Sequence, residues 1–207
     1  MLTTNEIGHI VLAIILFTFI ASFPNLSNAA TMLLYAFIII FIYVLAKKFI
    51  AYSLETETEI KIWSFQRWGI YERSYFKNPI PAGIIFPFLL SLLSFGYIRL
   101  LTLLSSEEKA TTARAAKRHD FYSFSELTEW HIGLISSAGI FASLILAILA
   151  YFINFPELAK FAIFYASANL IPLGKLDGTK IFFGSKILWA FLVIVCLIAL
   201  GYVFFLP

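Results

Sequence analysis

Residues 7–46, IGHIVLAIILFTFIASFPNLSNAATMLLYAFIIIFIYVLA, contain no Asp, Glu, Lys or Arg. A helix that crosses a bilayer needs about 20 consecutive apolar residues, so this run is long enough for two. Pro24-Asn25 and Ser27-Asn28 supply a turn between them. The expected helices lie at about 7–23 and 30–50, with Lys47 and Lys48 in the last turns of the second. Composition agrees. Of 207 residues, 61% are hydrophobic and 13% charged, where soluble domains carry about 25% charged; mean hydropathy is +0.90. A soluble core of this size has too much surface for its volume to hide so much apolar area, so a lipid bilayer is the expected environment and first partner. A net charge of +3 without a basic stripe gives no reason to expect nucleic acid. Cys196 stands alone inside an apolar run, which excludes an intramolecular disulfide and a cysteine metal site; it reads as a small apolar filler. The N-terminus has neither a positive n-region nor an Ala-x-Ala site, so the first apolar segment is expected to be retained.

Further spans are expected at about 81–104, 130–153, 157–172 and 185–206. The fold class is thus an all-α polytopic membrane protein of about six transmembrane helices in a single domain, 1–207, with a small β-hairpin at the membrane surface after the second helix. The third span begins near Pro81 and is kinked at Pro87, and Arg99 near its end can snorkel to the interface. The hairpin, about 55–77, comes from ETETEIKIW (55–63), where Glu57, Glu59 and Lys61 alternate with Thr58, Ile60 and Ile62. Period two reads as a half-buried strand, Gly69 as its turn, and Ile70 and Tyr71 as the start of the return arm. Residues 106–129 are polar and mixed in charge. They read mainly as a solvated loop with room for a second strand pair, and Ser125 with Glu126 and Glu129 can cap the fourth span. Six alternating crossings put Lys47, Lys48, Lys61, Arg67, Arg73 and Lys77 on one side and Lys109, Arg114, Lys117, Arg118 and the later loop on the other, which leaves the orientation open.

The stretch most able to carry chemistry is NLIPLGKLDGTK, Asn169–Lys180. An acidic residue in irregular backbone between two apolar helices is costly without a partner, and such a residue marks a functional site by default. The plainer reading is an interfacial loop with Asp177 in water. This stretch resembles the second signature of the site-2 proteases, intramembrane zinc metalloproteases, whose pattern is approximately N-L-x-P-x-x-x-L-D-G with the Asp as third zinc ligand. Asn169, Leu170, Pro172, Leu176, Asp177 and Gly178 match it. More weakly, SSAGIFAS (Ser136–Ser143) is similar to the family's A-G-P-x-x-N helix: Ala138 and Gly139 match, while Ile140 and Ser143 replace Pro and Asn. Small residues that let helices approach closely explain this segment equally well.

The third family element, HExxH, is missing. The resemblance aligns it with YVLAKKFIA, Tyr43–Ala51. Tyr43 and Lys47 stand where the two His ligands would be, Val44 where the general base would be, and Leu45, Ala46, Lys48, Phe49 and Ala51 keep the framework. An ammonium has no lone pair for a metal, valine moves no proton, and catalytic zinc takes three protein ligands. The expectation is therefore a pseudoprotease with no catalytic residues and no metal, Asp177 being a vestigial ligand. A Lys47–Asp177 ion pair, or a Tyr43–Asp177 pair, would replace zinc. Such a protein would bind or scaffold a transmembrane segment of another protein, in the cell membrane of a prokaryote, an archaeon by resemblance.

Two other readings stay open. Asn5-Glu6-Ile7-Gly8-His9 is one residue from HEIGH, so an active protease with a non-standard zinc site built from Glu6, His9, His131 and Asp177 is the alternative. The plainer reading makes Glu6 and His9 interfacial residues at a helix start, where the dipole favours Glu, and His119 and His131 loop and interface residues. A small transporter using Asp177, Arg99 and Lys47 ranks last, because no internal repeat supports it. Residues 57–63 could add a strand to a partner, although a strand closing its own hairpin is the simpler reading.

Overall fold

The computed structural model describes residues 3–67, 75–111 and 127–203. The expected turn at Gly69–Tyr71, the residues Arg73, Arg114, Lys117, Arg118 and His119, the cap at Ser125 and Glu126, and residues 204–206 lie outside them. The described chain is mostly helical: α1 (Thr4–Ser22), α2 (Ala29–Ser53), α3 (Ala82–Leu93), α4 (Glu129–Phe152), α5 (Pro156–Asn169), α6 (Asp177–Gly184) and α7 (Lys186–Val203). Four strands join them: β1 (Thr56–Ile62), β2 (Phe65–Arg67), β3 (Tyr75–Ile80) and β4 (Leu104–Ala110). Among the described residues, four helices are long and apolar enough to cross a membrane: α1, α2 with the 3₁₀ turn before it, α4 and α7. This is compatible with an integral membrane protein. Their outward faces are apolar, with Phe37, Phe41, Ile148, Ile194 and Ile198 among the exposed side chains.

The core is a helix bundle. Tyr43, Ile39 and Ile40 of α2 pack with Phe17 and Ile20 of α1 and with Phe161 and Tyr165 of α5. Crossings are close where glycine removes a side chain: a Cβ on Gly184 would lie 2.6 Å from the carbonyl oxygen of Glu129 and 3.1 Å from the Cα of Gly133. Such small-residue contacts are how apolar helices gain packing where lipid offers no hydrophobic drive.

Three expected elements differ. The third span, 81–104, is not a crossing. Its helix stops at Leu93, Phe95 and Gly96 take positive φ (50° and 81°), and the chain turns back. Gly96 abuts the Phe23 carbonyl and Pro24 at the end of α1, whereas Gly83 at the start of α3 abuts the Leu103 carbonyl, which accepts a hydrogen bond from Trp63 N at 2.9 Å. Both ends of this segment therefore lie at the same end of the bundle. Its returning arm is buried at Leu101, Thr102 and Leu103, as non-helical backbone at membrane depth must be. The surface hairpin, 55–77, is met only in part, by β2 and β3 on either side of the expected turn. β1 pairs antiparallel with β4, not with a local return arm, in the register Glu57↔Lys109, Glu59↔Glu107 and Ile62↔Leu104, while β2 pairs with β3. Residues 106–110 of the expected 106–129 loop, which left room for a strand pair, belong to β4. The expected 157–172 helix ends at Asn169.

The sheet caps one end of the bundle through α1 and α2. Glu6 closes a capping box with Thr3, and its carboxylate also accepts from Ile60 N at 2.8 Å and from Lys48 Nζ at 2.6 Å. Lys48 in addition donates to the Thr58 carbonyl. One buried carboxylate so ties the start of α1, the end of α2 and the middle of β1 together. This is a larger structural role than the interfacial position expected for Glu6.

A buried charge network as the candidate functional site

Tyr43 and Lys47 are four residues apart on α2, so they share one face, and both are fully buried. That face meets Asp177, the first residue of α6, which is also fully buried. Lys47 Nζ lies 2.6 Å from Asp177 Oδ1, and the Tyr43 hydroxyl donates to Asp177 Oδ2. Each carboxylate oxygen thus has its own donor. The Lys47 ammonium also stands 4.9 Å from the centre of the Tyr43 ring, a cation–π contact strengthened by the dry surroundings.

The second half of the network comes from the sheet. Period two turns Ser106 and Glu108 of β4 to the same face as buried Ile60 and Thr58, their register partners. Lys47 Nζ donates to Ser106 Oγ at 2.8 Å, and Ser106 Oγ donates to Glu108 Oε1 at 2.6 Å. Lys180, one turn beyond Asp177 on α6, donates to Glu108 Oε2 at 2.8 Å and to the Ser106 carbonyl. Two cations and two anions therefore balance inside the fold and join α2, α6 and β4.

Backbone shape holds the carboxylate in place. A Cβ on Gly178 would collide with the carbonyl of Leu170, so only glycine lets α6 start this close to the end of α5. A Cβ on Gly139 would lie 2.6 Å from Cε2 of Tyr43; α4 thus presents bare backbone to the phenol ring. Tyr165 packs edge-on against Tyr43, with ring centroids 5.0 Å apart. Asn169 is buried with its Nδ2 donating to the Tyr165 carbonyl at 2.9 Å. Leu176 is buried against Trp63 and Ala82, whereas Pro172 is exposed. Val44 lies in the apolar core. Ile140 and Ser143 of α4 are buried, the Ser143 hydroxyl donating to the Gly139 carbonyl at 3.0 Å.

Zinc is the group the family resemblance implies, and the side chains do not fit it. The ligand-register positions carry a phenol and an ammonium, and both are already bonded to the carboxylate that would be the third ligand. Among the described residues, no three His, Cys, Asp or Glu side chains gather as a metal site. Glu6, His9, His131 and Asp177 do not converge. Glu6 is engaged by Lys48, Thr3 and Ile60, His9 is half-buried on α1, and His131 Nδ1 pairs with the Thr128 hydroxyl at the start of α4. Arg99 is not in the network either; its guanidinium stands 5.4 Å from the Phe161 ring, at the other end of the bundle. The described partners of the network's charged groups are one another and the Tyr43 and Ser106 groups that join them.

Sequence reasoning missed Ser106, Glu108 and Lys180. Lys180 had a usable signal, since its i, i+3 spacing puts it one turn beyond Asp177 on a helix. Ser106 and Glu108 had none, because nothing in a polar stretch says which helix its strand will cover.

Comparison with known proteins gives no match to a family model, a curated protein or a solved structure.

Proposed function

We propose that this chain is a catalytically inactive, site-2-protease-like membrane protein, a pseudoprotease that binds or scaffolds a transmembrane segment of another membrane protein in a prokaryotic cell membrane. The observation that carries this reading is the saturation of Asp177 by Lys47 and Tyr43. These residues stand in the register of the family's two histidines, as Asp177 stands in that of the third ligand. A cation at a ligand position opposes a divalent ion by charge as well as by lacking a free lone pair. What is left of the machinery is a rigid, charge-balanced centre beneath a sheet, which supports a role in holding rather than cutting.

Restoring the lost side chains tests the reading. The triple variant Y43H/V44E/K47H, purified as the full chain, is expected to take up one zinc per chain by elemental analysis, while the native chain takes up none at stoichiometric level. Stoichiometric zinc in the native chain, lost on Asp177→Asn, would overturn the proposal, as would a folded triple variant that takes up no zinc.

A further inference from the structure

After α3 the chain turns back at the end of the bundle away from the sheet, and this turn is apolar. Leu93, Phe95, Tyr97 and Ile98 expose their side chains there, Phe95 by 73% and Tyr97 by 92%. No Asp, Glu, Lys or Arg occurs from residue 78 to residue 98. Phe95 also holds φ at 50°, in the left-handed region that suits glycine. A bulky residue kept there at a cost in backbone strain points to a use for its side chain, and the ring faces outwards, not into the core. The protein itself grips this segment narrowly. Of α3, only Ala82, Gly83, Pro87 and Ser91 are buried, and the Ser91 hydroxyl has no partner among the described residues. Phe88 stacks on Phe19 of α1 with ring centroids 5.4 Å apart. Phe86, Leu89 and Leu93 are exposed and share one face that leads up to the turn.

Depth follows from α1. That helix starts beside β1, to which Glu6 ties it, and its 19 residues rise about 28 Å, close to the roughly 30 Å of a hydrocarbon core. Gly96 abuts the Phe23 carbonyl just past the end of α1, so the turn lies at the opposite boundary between acyl chains and headgroups. We propose that this turn is a lipid anchor. Leu93 and Phe95 enter the acyl region of the leaflet away from the sheet, and the Tyr97 ring lies at the headgroup boundary with its hydroxyl towards water. Aromatic side chains with a polar tip favour that boundary, and an apolar patch of this kind marks a membrane contact. The bilayer thereby supplies the hold on α3 that its narrow protein contact does not.

The test places a nitroxide on Ile98→Cys in a Cys196→Ala background of the full chain, reconstituted in vesicles of phosphatidylcholine and phosphatidylglycerol. Collisions with oxygen, which partitions into hydrocarbon, and with a water-soluble nickel chelate report the depth of the label. Lys109→Cys, on the sheet, is the aqueous reference. The ratio of oxygen to nickel collisions is expected to be several-fold higher at 98 than at 109. Leu93→Ser, Phe95→Ser and Tyr97→Ser together are expected to move the ratio at 98 most of the way to the aqueous value, while an unchanged label at 109 shows that the fold is kept. Should the label at 109 change, Tyr97→Ser alone, at the most exposed of these side chains, is read instead, with a smaller shift expected in the same direction. Nickel collisions at 98 equal to those at 109 would place the turn in water, and few collisions with either reagent would place it against protein. Either result overturns the anchor, as does a ratio that the serine substitutions leave unchanged.

Discussion

Asp177 is fully buried, so its charge must be met by neighbouring groups. Lys47 and Tyr43 meet it, and both sit on the same α2 face because they are four residues apart. Tyr43→Phe deletes a hydrogen bond to a charged acceptor and leaves the packing unchanged. It is expected to lower stability by about 1.5–3 kcal/mol, read as a lowered unfolding midpoint of the full chain in mixed detergent. Glu6 is the equivalent anchor at the sheet, accepting from Thr3, Lys48 and Ile60. Glu6→Ala strands the Ile60 N–H and leaves Lys48 without its carboxylate. It is expected to raise hydrogen exchange at Ile60 and its β1 neighbours while leaving α4 and α7 unchanged; equal exchange in β1 would contradict that anchoring role.

At the level of elements, contacts between them are set by missing side chains and by strand register. Gly139 leaves the Tyr43 ring its place, so Gly139→Ala must push the ring by several tenths of an ångström. A cost of about 1–3 kcal/mol is expected from overpacking, together with loss of the Tyr43–Asp177 bond. On the outer face of the sheet, Glu59 and Glu107 stand directly opposite each other, a repulsive register made tolerable by Lys61, whose Nζ reaches Glu59 Oε2 at 3.0 Å and Glu107 Oε2 at 2.9 Å. The hydrogen bond from Lys61, aided by Lys175, holds the Glu107 carboxyl down to about 2. A carboxyl lowered on folding contributes stability above its ordinary value of 4.5, and that contribution fades as pH falls through the region near 2. The same pairing raises Lys61, whose contribution is lost only in strongly alkaline solution. Hydrogen exchange in β1 and β4 is therefore expected to rise as pH falls from about 4.5 towards 2, after correction for intrinsic rates, and Glu107→Gln is expected to remove most of that rise. The alternation of 55–63 revealed the strand but not its partner. Period two fixes which side chains face inwards, and a local return arm and β4, some forty residues later, satisfy it equally well.

For the whole molecule, the doubling back of α3 changes what the charges say. Hydropathy could not distinguish a crossing from an entry and return, because residues 78–98 are equally apolar in both cases; the turn rests on Phe95 and Gly96 and on contacts with Phe23 that no local pattern encodes. With that segment counted as a crossing, the Lys and Arg divide evenly. With both of its ends beside the sheet, nine of the eleven described Lys and Arg fall at the sheet end, and Arg99 and Lys160 alone at the other. The positive-inside bias then predicts that the sheet faces the cytoplasm. In a Cys196→Ala background, a membrane-impermeant maleimide is expected to label Asn154→Cys on intact cells and Lys109→Cys only after lysis; the reverse pattern would invert the topology. The apolar helices were legible as runs because length is a local property, whereas the pairing of Asp177 with Lys47 or Tyr43 at the buried centre was expected from the resemblance alone. Ser106, Glu108 and Lys180 became part of that centre only when the sheet was laid over it.

The most direct measurement is a double-mutant cycle on Lys47→Met and Asp177→Leu, run on the full chain after chelation. Each single variant leaves a buried charge alone and is expected to cost roughly 3–5 kcal/mol, while the double variant recovers much of the loss, giving a coupling of at least about 1.5 kcal/mol. Additive losses with negligible coupling, or a native chain that unfolds more easily once chelated, would mean that Lys47 is not the group that holds Asp177.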